Sequence, residues 1–341
     1  MQELFCESNQ LTKLDISKLS DLEILGCTAN QLTELDLDNN SVLKNLYCGE
    51  NQLTELDLSQ NTLLESLGCP SNLLTELDLT TNTKLHTVYC ESNQLSKLDL
   101  SKNTELGSLW CQSNLLTELN IKSNSKLFFL NCQDNQLTTL DLSNNSQLIA
   151  GSIHCSPQST SFERLQNGEQ WIVDLSKTIP KELLSNITVI SSNSYNPSTG
   201  ILTFNIKPDS FTYTYNTGKP DISMTVTVTL IDHTHTFGEW EVTAPATCTE
   251  PGEEHRVCSV CQAEETRPIE ALGHDYAAEW TIDQPATCTE PGSQSHHCTR
   301  CGDKADVTAI DPTGHTFGEW ETTAPATCTE AGEEHRVCSV C

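Results

Sequence analysis

Cysteine recurs in this chain on two unrelated periods, and each period constrains the architecture of the segment that carries it. Cys6, Cys27, Cys48, Cys69, Cys90, Cys111 and Cys132 stand 21 residues apart. Cys248, Cys258 and Cys261 return as Cys288, Cys298, Cys301 and again as Cys328, Cys338, Cys341, every 40 residues. Cys155 falls in neither set. Two periods in one chain of 341 residues imply two repeat architectures rather than one disulfide framework.

Within the shorter period, Leu22, Leu25, Cys27, Asn30, Leu32, Leu35, Leu37 and Asn40 set the pattern. Apolar residues lie two apart inside each half, which is the inward alternation of a short strand. One such unit has no partner face, so neighbours must stack to bury these positions. Asn9, Asn30, Asn51, Asn72, Asn93, Asn114 and Asn135 share a register, and a recurrent buried amide needs backbone partners on adjacent turns. Stacking brings the cysteine Cα atoms within disulfide range, but parallel Cβ vectors do not give the required torsion. The ladder thiols are therefore expected to be free, buried, small hydrophobes.

This pattern resembles the bacterial 21-residue leucine-rich repeat, LxxLxCxxNxLxxLDLxxN, over residues 1–145 and seven turns. The resemblance implies a mainly β chain with a parallel β solenoid, which members of that family generally use to bind other macromolecules. Gly151, Ile153 and Ser156 stand where Leu, Cys and Asn are due, so the solenoid is expected to end near residue 145. Met1 already occupies the first Leu slot and the chain stops at Cys341 in mid-repeat, so a fragment at both ends is expected.

Turns about 4.8 Å apart turn each outward position into a stripe. In the cysteine-bearing half the stripe reads Phe5, Gly26, Tyr47, Gly68, Tyr89, Trp110, Asn131, with Phe129 one strand position away on the same side. Exposed aromatics rimmed by polar residues mark a contact surface; an aromatic ladder can also simply stiffen a sheet. Phe5, Tyr47, Tyr89, Trp110 and Phe129 are the candidate partner-binding residues, for a protein or a glycan. In the other half Asp15, Asp36, Asp57, Asp78, Asp99, Asn120 and Asp141 align. Such a row must be solvated, bonded to backbone N–H groups, or paired with a cation such as calcium.

Residues 146–232 lose the period. Trp171–Leu175, Ile187–Ile190, Ile201–Ile206, Phe211–Tyr215 and Met224–Leu230 are Thr-, Val- and aromatic-rich and read as strands split by turn signals. A small β domain that covers the Leu-rich end of the solenoid is expected, with an immunoglobulin-like spacer as the alternative.

Residues 233–341 carry three repeats of about 40 residues, each offering Cys-x9-Cys-x2-Cys with a His separated by twelve or thirteen intervening residues from its first Cys: His235, His274 and His315. A Cys-x2-Cys pair, a third Cys and a His make a Cys3His zinc site. Three thiols per unit leave one over in any disulfide scheme, and a unit poor in apolar residues needs a staple. The candidate ligands are His235, Cys248, Cys258, Cys261, His274, Cys288, Cys298, Cys301, His315, Cys328, Cys338 and Cys341. Each set could draw on the His before it or the one after it. His255 and His335 have Ser295 at the matching place of the second copy and are discounted. Oxidised pairs or redox thiols are the alternatives. The units are similar to Cys/His repeats of gut-anaerobe surface proteins.

Eighteen Lys+Arg against 47 Asp+Glu give a net charge of −29, which argues against nucleic acid as partner, because phosphate contact needs clustered cations. No run of apolar residues approaches the roughly 18–20 needed to span a membrane, and the first residues carry no signal-peptide pattern. The sequence predicts a non-enzymatic, surface or secreted bacterial binding protein on zinc-stapled stalk repeats, its leader and anchor outside this sequence. A thiol-disulfide oxidoreductase or an intracellular leucine-rich-repeat effector is the alternative.

Overall fold

The structure, a computed structural model, describes residues 1–189 and 194–341 and divides into two compact units, Met1–Thr234 and His235–Cys341. The first unit opens with seven three-residue strands, Glu3–Phe5, Ile24–Gly26, Asn45–Tyr47, Ser66–Gly68, Thr87–Tyr89, Ser108–Trp110 and Phe129–Asn131. They pair in sequence order, parallel and in register, one per 21 residues. This is a parallel β solenoid of the leucine-rich-repeat type. Leu25, Leu46, Leu67, Val88, Leu109 and Leu130 point inward and are fully buried, as are Cys27, Cys48, Cys69, Cys90, Cys111 and Cys132. A side chain so buried contributes about 1.5–3 kcal/mol if Leu-sized, and each finds its neighbours only on the adjoining turns.

After each inward cysteine the backbone bends left-handed at Ala29, Glu50, Ser71, Ser92, Ser113 and Asp134, with φ between 50° and 57°. Non-glycine residues pay about 1–3 kcal/mol for such a conformation unless their surroundings fix it. The next residue, the ladder asparagine, does so. Asn72 Nδ2 donates to Cys69 O at 3.2 Å within its own turn and to Cys48 O at 3.1 Å in the turn before, while its Oδ1 accepts from Leu53 N at 3.0 Å. A second ladder runs along the other half. Asn82 Nδ2 donates to Leu58 O at 3.1 Å and to Asn61 O at 2.9 Å, and Asn40, Asn61, Asn103, Asn124 and Asn145 repeat the arrangement.

The solenoid does not stop near residue 145. An eighth strand, Ile153–His154, pairs with the seventh through Leu130–Ile153 and Asn131–His154. Two extra residues lie in this turn, which contains a short 3-10 segment at Ala150–Ser152. Counting by 21 therefore lands on the wrong positions. Cys155, buried, is the eighth member of the ladder, and Gln158 replaces asparagine, its Nε2 donating to Cys132 O at 2.7 Å and Cys155 O at 2.9 Å. None of the ladder cysteines is in a disulfide. Burial pushes the Cys27 and Cys69 thiols up to about 12.

From Gln158 the chain enters a seven-stranded sheet, in spatial order Ile187–Val189, Ser210–Asn216, Ser223–Asp232, Gln158–Asn167, Gln170–Asp174, Ile201–Phe204 and Ser194–Asn196. The five expected strands are present with trimmed or extended bounds; Ile190 lies outside the described residues. Gln158–Asn167 and Ser194–Asn196 were not expected. The inward side chains Phe211, Tyr213, Tyr215, Val226 and Val228 belong to the same hydrophobic cluster as the last solenoid turns. Tyr213 Oη donates to Thr138 O at 2.8 Å, and Leu142 N donates to Thr217 O at 2.8 Å.

Between the two paired central strands of this sheet, Arg164, only 8% exposed, donates from Nε to Asp232 Oδ1 at 2.8 Å, and Lys207 Nζ reaches Asp232 Oδ2 at 3.1 Å. Hydrogen bonds from Arg164, then Lys207, hold the Asp232 carboxyl down at about 2. A carboxyl depressed in the folded state adds stability that is complete above its unfolded value of about 3.9 and fades as pH falls through that value towards about 2. Urea midpoints of the first unit measured between about pH 5 and pH 2 are expected to fall. Asp232→Asn should start lower at neutral pH and fall less steeply; a parallel curve would place the acid sensitivity elsewhere.

The second unit consists of two three-stranded antiparallel sheets, Glu241–Ala244/Gly252–Val257/Glu264–Ile269 and Thr281–Gln284/Gly292–His297/Lys304–Ile310, and a two-stranded one, Glu321–Ala324/Glu333–His335. The sequence had suggested no regular structure for these repeats beyond their cysteines.

Candidate functional site

The outward stripe of the solenoid sheet places the five candidate contact residues on one face. Phe5 is 57% exposed and Tyr47, Tyr89, Trp110 and Phe129 are half-buried. Two glycines make room for rings: a Cβ on Gly26 would lie 2.9 Å from Phe5 Cδ1, and one on Gly68 would lie 3.0 Å from Tyr47 Cδ1. Further along, the rings meet one another. Tyr89 and Trp110 have centroids 5.8 Å apart, Trp110 and Phe129 stack at 4.5 Å with planes 17° apart, and His154 lies 5.7 Å beyond Phe129. His154 was missed because it enters the stripe only through the longer eighth turn. The rings therefore stiffen the sheet and present their free edges and outer faces at once.

In the opposite half the aspartate row is explained by the backbone. Asp15, Asp57, Asp78, Asp99 and Asp141 each accept from the N–H two residues on, at 2.8–3.0 Å, and hydrogen bonds from Ser or Thr at that position hold their carboxyls below the usual range. A groove of about 870 Å³ runs beside them over Leu35, Leu56 and Leu77, rimmed by Glu34, Glu55 and Glu76. No spacing argument pointed to it.

In the second unit, antiparallel bridges Phe237–Cys258, Tyr276–Cys298 and Phe317–Cys338 bring each His-x-aromatic segment beside a Cys-x2-Cys turn. The first cysteine of the turn is pinned at both backbone ends: Cys298 N donates to Asp303 O at 2.7 Å, and Gly302 N, at φ 74°, donates to Cys298 O at 2.9 Å. The histidine rings pack on the neighbouring aromatics, His274 on Tyr276 at 5.4 Å and His315 on Phe317 at 5.3 Å. Their Nδ1 atoms reach the second thiols: His235 to Cys261 at 3.1 Å, His274 to Cys301 at 3.3 Å and His315 to Cys341 at 3.3 Å.

The three cysteines of one repeat do not come together. The structure groups Cys248 with His274, Cys298 and Cys301, and Cys288 with His315, Cys338 and Cys341, all donor atoms of a group within 4.8 Å of one another. His235, Cys258 and Cys261 form a third group. Each Cys-x2-Cys pair is thus met by the His that precedes it, and in two cases by the first cysteine of the repeat before. Cys328 is exposed and joins no group among the described residues. His297 bonds Asp283 at 2.7 Å and His296 packs on Trp280 at 4.1 Å, so neither is a donor here.

Three thiols and an imidazole suit a soft or borderline divalent cation in tetrahedral coordination. The local electrostatics prepare for one. Against the opposing effect of burial, N–H groups of Arg300, Asp275 and Cys301 and the His274 ring bring Cys298 down to about 5. The Val340 N–H, against burial, and then Cys341 N–H and His315 bring Cys338 to about 5. Burial and the facing Cys301 and Cys298 push Cys248 up to about 11. In each of these two groups one thiol is thus favoured as the thiolate over its neighbours. These clusters can hold a metal ion.

No protein-family model matches the sequence, and no curated protein matches it. Among solved structures the chain is similar to the functional domain of InlJ from Listeria monocytogenes, which includes a cysteine ladder, at 25% identity and TM-score 0.38, over 68% of this chain and 67% of that one. It is similar to the internalin InlF of Listeria monocytogenes at 23% identity and TM-score 0.35, over 43% of this chain and 51% of that one. The leucine-rich repeat domain of APL1B gives 20% identity and TM-score 0.39, over 43% and 53%. The chain spans about half the length of the latter two.

Proposed function

We propose that this chain is a non-enzymatic binding protein, displayed on or released from a bacterial cell surface, that captures a protein or glycan on another cell through its solenoid face. The observation that carries this reading is the run of Tyr89, Trp110, Phe129 and His154 rings, tilted or stacked against one another along the sheet and open in part to solvent. Large rings held in place bind at low entropic cost and dominate interface energetics. We infer that the seven-stranded sheet covers the end of the solenoid, which Tyr213 and Thr217 support by bonding the last turns. We also infer that the Cys/His groups take Zn(II), which would supply tetrahedral cross-linking and no chemistry. No helix among the described residues is long and apolar enough to cross a membrane.

The test uses the full chain on glycan arrays and on intact epithelial cells. Trp110→Ala and Tyr89→Ala should each weaken retention about tenfold or more, as loss of an interface anchor does. Their unfolding midpoints should shift by no more than the equivalent of about 1 kcal/mol for Tyr89→Ala, which loses one ring pair, and about 2 kcal/mol for Trp110→Ala, which loses two. Unchanged retention with a large loss of stability would assign the rings to packing alone.

A further inference from the structure

We propose that two metal ions of the C-terminal array sit at the junctions between repeats, each binding one cysteine from one repeat and a His and two cysteines from the next. This rests on the zinc reading above and specifies which residues share an ion. Two sulfurs bound at about 2.3 Å to one tetrahedral ion lie about 3.8 Å apart. Across the junctions, Cys248 Sγ is 3.8 Å from Cys298 Sγ and Cys288 Sγ is 3.7 Å from Cys338 Sγ. A disulfide would need about 2.05 Å.

The backbone enforces this sharing. Cys248 and Cys288 stand on identical loops closed by Thr247 N to Glu250 O and Thr287 N to Glu290 O, both 2.9 Å. Gly252 and Gly292 seat each loop against its own sheet so closely that a Cβ there would lie 2.4 Å from Ala244 O or Gln284 O. The segment leaving the last strand of each repeat is tied to the same loop, by Leu272 N to Thr247 O and Thr313 N to Thr287 O, at 2.9 Å. The segment between repeats therefore delivers the next His beside the cysteine of the loop it has just left. No group among the described residues places Cys248 with Cys258 and Cys261, or Cys328 with Cys338 and Cys341. Cys328 is on the same kind of loop, closed by Thr327 N to Glu330 O at 2.9 Å, and is exposed.

Native alkylation of the zinc-loaded full chain, mapped peptide by peptide, tests the assignment. Among the nine cysteines of the repeats, Cys328 alone should label quickly in the parent protein. Cys248→Ser should raise labelling of Cys298 and Cys301 at least tenfold and leave Cys258 and Cys261 protected. Cys288→Ser should do the same for Cys338 and Cys341, and Cys328→Ser should change nothing. Exposure of Cys258 and Cys261 by Cys248→Ser would overturn junction sharing in favour of sites within one repeat. Release of all the repeat thiols by both variants would overturn it too, since the sites would then not be separable. If added zinc protects no thiol in the parent protein, the zinc reading itself fails, an outcome distinct from either.

Discussion

Asn93→Ala is expected to lower the stability of the Met1–Thr234 unit by about 3 kcal/mol in urea denaturation, whereas Asn9→Ala should cost less than about 0.5 kcal/mol. Asn93 Nδ2 donates to Cys69 O at 3.0 Å, Cys90 O at 3.2 Å and Glu91 O at 3.3 Å, and Oδ1 accepts from Leu74 N at 3.1 Å. Alanine satisfies none of these, and a buried polar group left unpaired costs about 1–3 kcal/mol. The left-handed bend at Ser92, with φ 54°, also loses the amide that braces it. Asn9 occupies the same register but is exposed, and bonds only Cys6 O and Glu7 O, which water can serve instead. Equal losses for the two variants would mean that the amides act through local turn propensity and not by joining turns.

The second large effect is the response to metal removal. In the His235–Cys341 unit the buried hydrophobic side chains are Cys248, Cys258, Cys288 and Cys298, and no others, while Trp280 and Trp320 stand 45% and 58% exposed. There is no apolar core to fall back on. In small metal-stapled modules the binding free energy, about 10–16 kcal/mol for zinc at neutral pH, is the folding free energy. A strong chelator should therefore abolish amide chemical-shift dispersion in this unit and make its thiols reactive. The urea midpoint of the first unit, built on leucine, should not move. Retained dispersion after complete removal would show that the three sheets hold without a cation.

What could be read from the sequence was what local periodicity encodes. A strand that meets only its own copies repeats its inward and outward positions at fixed spacing, so Leu25, Cys27, Asn30 and the ring stripe were legible from counting. Counting failed where the chain inserted two residues: the eighth turn escaped because Gly151, Ile153 and Ser156 stand at the 21-residue positions, and Cys155 and Gln158 at the structural ones. Gln158–Asn167 was missed for a different reason. Its inward face includes Gln158 and Arg164, whose polarity is compensated by partners remote in sequence, Cys132 O and Asp232. The donors in the repeats were recognisable as types. Their grouping was not, since spacing within a repeat carries no record of a loop that reaches its neighbour.

The cysteine ladder has one more use. Cys27, Cys48, Cys69, Cys90, Cys111, Cys132 and Cys155 put one shielded native thiol in each successive turn. A thiol reagent can reach any of them only when that turn opens, so exchange rates measured cysteine by cysteine would chart the local opening free energy along the whole stack. The solenoid thus carries its own fraying gauge, at one-turn resolution and without an engineered label.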